Sequence, residues 1–283
     1  MSLPLDREFD PCHGTPVSVA PNVLRLTASN AGPMTFHGTN TYLVGSAKLV
    51  VIDPGPLDQR HLKALLAALD GRHVSGILLT HGHRDHSDLA VSLQNKVGAP
   101  IFASPRYDGP MDRHLEDGSR HLLGDTDIEV IATPGHSMDH LSFALPDTSI
   151  LFSGDHVMAW STSVIVPPDG RIRDYLASLD RLMRRSETRY LPGHGGPVER
   201  PQPLLRALRT HRRMRESAVL QRLAAGPARV GDIVADLYRD LDASLTRAAT
   251  LSTRAHLDDL VERGLVESTG DRFRLTPAPT PPA

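Results

Sequence analysis

Two hydrophobic periods alternate along the first 200 residues: short runs of period two or continuous apolar character, and longer stretches with helical spacing. The short runs predict strands over 17–30, 76–80, 101–104, 128–132, 150–152 and 190–191. Residues 40–45 and 48–53 read as a hairpin turning at Gly45-Ser46, and Pro54-Gly55-Pro56 stops the second strand just after Asp53. Helical spacing predicts a helix over 58–69, with Leu62, Leu65, Leu66 and Leu69 on one face, and another over 89–97. A third spans 169–185, where Ile172, Tyr175, Leu176, Leu179, Leu182 and Met183 recur at that spacing. The polar stretch from Ser104 through Arg120 receives no assignment, and His114 and His121 read as solvated.

After Pro197 the pattern changes. Pro201 and Pro203 mark a linker, followed by a long Arg-rich helix over 204–225. Helices over 230–238 and 248–263 come next, the latter with Leu251, Leu257, Leu260 and Val261 inward. Residues 264–275 then form a hairpin around Gly270-Asp271. Three helices and a hairpin make a winged-helix arrangement, so the chain divides into domains 1–200 and 201–283, with 277–283 a frayed tail.

The candidate chemistry lies in Thr80-His81-Gly82-His83-Arg84-Asp85-His86-Ser87. Three imidazoles and a carboxylate within six positions, at the carboxyl end of an apolar run, read as metal ligands on an irregular turn, which Gly82 suits. Three later stretches also follow strand-like runs: Thr133-Pro-Gly-His136, Ser153-Gly-Asp155 and Leu191-Pro-Gly-His194. Four loops at four strand ends can therefore converge on one site. Asp53, at the carboxyl end of its strand, either lies beside the histidine loop or caps its own strand as an Asx turn. His140 either donates a proton or hydrogen bond to substrate or is a buried structural histidine, and His156 reads as structural. Trp160, the sole tryptophan, either walls a cleft or packs in the core.

Composition narrows the partners. Lys+Arg of 31 against Asp+Glu of 33 leaves a net charge of −2, which excludes a generic polyanion binder, and aromatics at 4% weaken any scheme of extensive base stacking. Cys12 is the only cysteine, so the chain forms no internal disulfide and the metal site is not thiolate-rich. With no signal-peptide core and no apolar run of about 18 residues, a soluble cytoplasmic protein without membrane contact is expected.

The run His81, His83, Asp85, His86 with its later partners resembles the signature of the metallo-β-lactamase superfamily. That resemblance implies an α/β fold, an αββα sandwich holding one or two metals. With the C-terminal winged helix and Gly38-Thr-Asn-Thr-Tyr-Leu-Val-Gly45, it looks like the beta-lactamase-like protein 2 group, from about Asn30 to Leu275. The true β-lactamases fit less well, since their thiolate-bearing members place a Cys near Asp155. The resemblance implies that His81, His83 and His136 bind a first metal, that Asp85, His86 and His194 bind a second, and that Asp155 bridges them. Two ions about 3.5–4 Å apart need a ligand with two oxygens between them, as a carboxylate has. Bridging hydroxide would be the nucleophile, with Asp85 and His140 the candidate catalytic residues. Zinc leads as the metal; manganese or iron would accept the same donors.

Three functions follow as expectations. The first is a binuclear metal-dependent endoribonuclease acting on single-stranded RNA. The second is a thioesterase similar to hydroxyacylglutathione hydrolase, acting on a small thioester. The third is a nucleic-acid-binding regulator in which the winged helix is primary. The helix over 248–263 carries Asp258, Asp259 and Glu262, which would repel phosphates at the usual reading position. The preceding helix carries Arg206, Arg209, His211, Arg212, Arg213 and Arg215. It is expected, with the hairpin, to lie beside the cleft and guide an anionic substrate; a solvated surface or a subunit contact, hence a homodimer, stays open.

Overall fold

The computed structural model describes residues 3–239 and 242–277. Its first sheet has seven strands in sequence order: β1 Val17–Ala20, β2 Val23–Thr27, β3 Asn40–Val44, β4 Lys48–Ile52, β5 His73–Leu78, β6 Ile101–Ala103 and β7 Arg113–His114. The second runs β12-β11-β10-β9-β8, from β8 Arg120–Leu123, β9 Thr126–Ala132, β10 Leu141–Leu145, β11 Ile150–Gly154 and β12 Arg189–Pro192. The sandwich helices are α1 Gln59–Leu69, α2 Arg84–Ser87, α3 Ala90–Val97 and α4 Ile172–Leu182.

Side-chain alternation explains the layering. Along β4, Val50 and Ile52 enter the core between the sheets, where they meet Ile128, Val130, Phe143 and Phe152 of the second sheet. Leu49 and Val51 point the other way, against Leu62, Leu65 and Leu69 of α1 and Leu93 of α3. The second sheet repeats this: Phe152 faces the inter-sheet core, while Leu151 packs under Tyr175 and Leu179 of α4. Each sheet thus buries both faces, giving the αββα sandwich the motifs imply. In α1 the Asp58 side chain accepts the Arg60 N–H at 2.7 Å, and the helix ends where Asp70 turns left-handed at φ 50°. Leu65 is fully buried beneath it, and Leu65→Ala would cost about 2–5 kcal/mol.

Several elements differ from expectation. The single strand over 17–30 is two strands, because Asn22 adopts φ 58° and folds β1 back on β2. The unassigned stretch before Arg120 contains β7, and β10 had no clear signal of its own. The histidine motif is not wholly irregular: residues 84–87 form one helical turn preceded by His83.

The linker expected at Pro201 and Pro203 is the first turn of α5, Pro201–Ala224. Proline suits that position because its missing N–H would have had no helical partner. Leu204, Leu205 and Leu208 of α5 pack in the sandwich with Tyr175 and Tyr190, and Val219 and Leu223 pack in the C-terminal module. One helix, beginning at the 200/201 boundary, therefore belongs to both cores. The module adds β13 Ala228–Arg229, α6 Val230–Leu237, a 3₁₀ turn Ala243–Leu245 and α7 Thr246–Glu262. It closes with β14 Val266–Thr269 and β15 Arg272–Leu275, a hairpin turning at Gly270-Asp271 with Gly270 at φ 61°. This is a winged helix. Apart from Pro277, the expected frayed tail lies outside the described residues. No described helix is long and apolar enough to cross a membrane.

Candidate metal centre

Five strand ends deliver the polar side chains to one place. Asp53 follows β4, residues 80–86 follow β5, His136 follows β9, Asp155 follows β11 and His194 follows β12. All seven expected metal ligands come together in two adjoining groups: His81, His83, His136 and Asp155 in one, and Asp85, His86 and His194 in the other. Close approach demands glycine at 193, where a Cβ would lie 2.5 Å from Asp155 Oδ1 and 2.6 Å from His86 Cε1.

Hydrogen bonds from behind fix four of the five ligand imidazoles. The Thr80 hydroxyl donates to Asp53 Oδ2 at 2.7 Å and so accepts from His81 Nδ1–H at 3.0 Å. His86 Nδ1–H donates to Asp53 Oδ2 at 2.9 Å, His136 Nδ1–H to the Val164 carbonyl at 2.7 Å, and His194 Nδ1–H to the Gly38 carbonyl at 3.1 Å. Each of these four rings then turns an Nε2 lone pair inward. Asp53 is thus an orienting carboxylate; its Oδ1 also takes the Thr80 N–H at 2.8 Å.

The inward nitrogens crowd one another. His81 Nε2 and His136 Nε2 lie 2.9 and 3.0 Å from His83 Nδ1, which can donate to only one of them. His86 Nε2 and His194 Nε2 face each other at 3.4 Å, with Asp85 Oδ2 at 3.4 and 3.3 Å from them. Asp155 sets Oδ1 3.4 Å from His86 Nε2 and Oδ2 at 3.3 Å from His194 and 3.6 Å from His136, and Oδ1 is buried without a hydrogen-bond partner. Donors of a tetrahedral ion with bonds of about 2.0–2.2 Å stand roughly 3.3–3.6 Å apart. The second group's spacing lies in that range and the first group's 2.9–3.0 Å is tighter; with its stranded lone pairs the arrangement fits cations, and Asp155 spans both groups.

Electrostatics differ between the groups. Burial, reinforced by neighbouring imidazoles, pushes His81 far below its ordinary pKa, and burial takes His136 down to about 4. Burial also acts against charge on His86 and His194, but Asp85 and Asp155 outweigh it, raising His86 well above the usual range and His194 to about 9. Both carboxylates are lowered despite their burial, by these same histidines. Without metal, the second group holds protons where a cation would sit.

His140 lies behind the site, 1% exposed. The Asp155 N–H donates to its Nε2 at 3.1 Å, leaving Nδ1–H to donate to Thr133 Oγ1 at 2.9 Å. With both nitrogens occupied and no face on the cleft, His140 positions Asp155, and the expected contact with substrate is corrected. His156 is buried, as expected of a structural residue. His114 lies exposed on β7, and His121 sits on β8 beside Ser119.

Above the cluster opens a cleft of about 310 Å³, with His83, Asp85, His136, Asp155 and His194 on its floor. Trp160, stacked on Phe36 at 4.7 Å and 8°, is one wall, with Met34, Val164 and Val166. The C-terminal module supplies the facing side through Tyr238, Leu245, Ala248, Ala249 and Ser252. The expected guiding helix does reach the cleft, but the hairpin does not line it. Arg212 is 3% exposed, donates to the Ser163 carbonyl and lies over the Tyr175 ring, so it is no surface cation. Arg209 pairs with Asp180 at 2.7 Å, and Arg215 covers Tyr238.

Sequence reasoning missed several supports. Thr39 Oγ1 donates to Asp85 Oδ2 at 2.9 Å, and Asn40 Nδ2 donates to the carbonyls of Pro192 and Gly195, beside His194. Asp139 takes the Gly82 N–H at 2.7 Å. Ser163 Oγ donates to the Asp155 carbonyl at 2.5 Å. Only Thr39 and Asn40 had a signal, as polar residues opening an apolar strand.

Two layers of sandwiched sheet with helices outside, and a His/Asp cluster at the strand ends, define a metal-dependent hydrolase class. The model of the metallo-beta-lactamase superfamily matches residues 34–194, and that of the beta-lactamase associated winged helix domain matches 230–274. The chain belongs to the metallo-beta-lactamase superfamily and, within it, to the beta-lactamase-like protein 2 group. It is 30% identical over 258 residues to a beta-lactamase-like protein 2 homolog of Caenorhabditis elegans, covering 87% of this chain and 86% of that one. It is also 30% identical over 264 residues to an atrochrysone carboxyl ACP thioesterase of Aspergillus fumigatus, covering 90% and 78%. Its fold is similar to that of a beta-lactamase domain protein from Burkholderia ambifaria, with a TM-score of 0.82 at 22% identity over 96% and 97% of the two chains.

Proposed function

We propose that this metal-dependent hydrolase acts on acyl thioesters, with two divalent ions held by the seven-residue cluster. The observation that carries the reading is the cleft lining. Its two guanidiniums are both turned to backbone carbonyls, Arg7 to Trp160 and Arg212 to Ser163. Outside the ligand cluster its one further basic residue, His211, is lowered to about 4 by burial and is neutral at pH 7. Binding single-stranded RNA rests on a track of phosphate-facing cations, and outside the ligand cluster this lining offers only the exposed Arg7. The fungal relative named as a thioesterase supports the same choice.

His81, His83 and His136 would hold the first ion, Asp85, His86 and His194 the second, and Asp155 both. Such ions supply Lewis acidity and lower the pKa of water to about 7. Zinc is the leading metal, because imidazole and carboxylate donors without thiolate suit it, as they also suit manganese and iron. Asp53 and the Val164 and Gly38 carbonyls keep the ligand rings aimed, each by accepting from Nδ1–H. Asp85, with its side chain 29% exposed on the cleft floor and steadied by Thr39, would receive a proton from the attacking water. The apolar walls exclude bulk water from the thioester carbonyl.

Parallel incubation of the metal-loaded protein with S-lactoylglutathione, an aryl-acyl thioester and single-stranded RNA tests the reading. Thiol release from a thioester, lost in Asp155→Ala, with RNA left intact is the expected result. RNA cleavage without thiol release would overturn it and restore the endoribonuclease.

A further inference from the structure

In a winged helix the third helix is the element that ordinarily enters a nucleic-acid groove. Here that helix, α7, spends the corresponding face on the sandwich domain. Ala248, Ala249 and Ser252 line the metal cleft, Ala255 is buried with Tyr175 and Leu208, and Asp259 accepts from Arg173 at 3.2 Å. These positions recur at helical spacing and form one continuous stripe.

The residues over the cluster are small, and their size leaves the space. Across it stands the Trp160 ring, held flat against Phe36, with Met34 at the rim, 48% exposed. A volume of about 310 Å³ is at the lower end of ligand pockets, which run from about 300 to 1,000 Å³. It is contiguous with the cluster, so whatever fills it is attached to the scissile bond. We infer that α7 and Trp160 form the acyl pocket of the enzyme, so that the C-terminal module selects an apolar acyl group instead of reading nucleic acid; this rests on the thioesterase reading above. Ala249, 8% exposed, sets the depth of the pocket, and Ala248 sets its mouth.

The test compares wild type with Ala249→Phe and the milder Ala248→Leu, using acetyl, hexanoyl and 3-phenylpropionyl thioesters of one thiol. In parallel, emission of Trp160, the sole tryptophan, reports binding of the product acids 3-phenylpropionate and acetate to the metal-loaded protein. Wild type should prefer the larger groups. Both variants should lose kcat/KM progressively with acyl size, by about 10- to 200-fold for 3-phenylpropionyl, the range that one misfitted group in an apolar pocket produces. Emission should respond to 3-phenylpropionate and not to acetate, and the response should weaken in both variants. Thioester turnover with the same acyl profile in all three proteins overturns the pocket and leaves the thioesterase standing. If no thioester is cleaved but 3-phenylpropionate binds and the variants abolish that binding, the pocket stands and the thioesterase reading falls.

Discussion

At the floor of the site, His81, His86, His136 and His194 each point Nε2 inward because the Nδ1–H of each donates, in turn, to Thr80, Asp53, the Val164 carbonyl and the Gly38 carbonyl. The side formed by α7 works through shape, where Ala248 and Ala249 leave volume and Leu245 closes it. Direction matters for a cation, whose bonds to imidazole are short and oriented, so the floor is rigid and over-determined. Volume suffices for an apolar group, and that side can change by a methyl group at a time.

The sharpest way to break the floor is Asp155→Ala. It should remove metal from both groups and abolish hydrolysis; elemental analysis after mild dialysis, showing close to two ions per wild-type chain and a clear loss in the variant, checks it. Equal metal in both proteins would show that Asp155 is no ligand. Asp53→Ala touches no ion but frees His86 and Thr80, so activity or metal affinity should fall by about 10- to 100-fold with the fold retained, read by titration against a chelator.

Protons compete at the same floor. His86 and His194 have raised pKa values in the metal-free protein, so below those values they are protonated and must lose protons when metal binds. Metal affinity and activity should therefore fall as pH drops below neutral. Calorimetry in buffers of different ionisation enthalpy should show proton release at about pH 7. A rate that stays flat from acid to neutral pH, with metal retained, contradicts this.

Two histidines away from the ligand set behave oppositely. His156 and His256 are buried without partners, and burial lowers each to about 3. Each is depressed from the ordinary 6.5, so its contribution to stability is complete above pH 6.5 and is lost as pH falls toward 3. At about pH 4 that loss is about 3 kcal/mol for each residue, using 1.36 kcal/mol per unit. His256→Leu in the C-terminal module should flatten the acid limb of the melting temperature; an unchanged limb would show that His256 is not buried neutral.

The smallest effect concerns the Arg-rich helix. Arg213 is exposed, so Arg213→Ala should leave thioester KM within about twofold, as surface substitutions do. A large rise in KM would return the guiding role to that helix.

The ligand set was legible because its chemistry is local. His81, His83, Asp85 and His86 sit within six residues, and His136, Asp155 and His194 each follow an apolar run, so strand ends and imidazoles could be matched without coordinates. Short apolar runs marked the strands and the resemblance of the histidine motif implied the sandwich, while the winged helix followed from three helical periods and a Gly270 turn. What only the tertiary structure decided depends on contacts distant in sequence. His140 read as acid or as structural until the Asp155 amide was found against its ring. Arg212 read as one surface cation among six, because helical spacing cannot tell which side of a helix meets a neighbouring domain. The cleft lining from α7 has no motif at all: alanine is the commonest filler of any helix, and Ala248 and Ala249 acquire meaning only because α5 spans both cores and brings that face over the cluster.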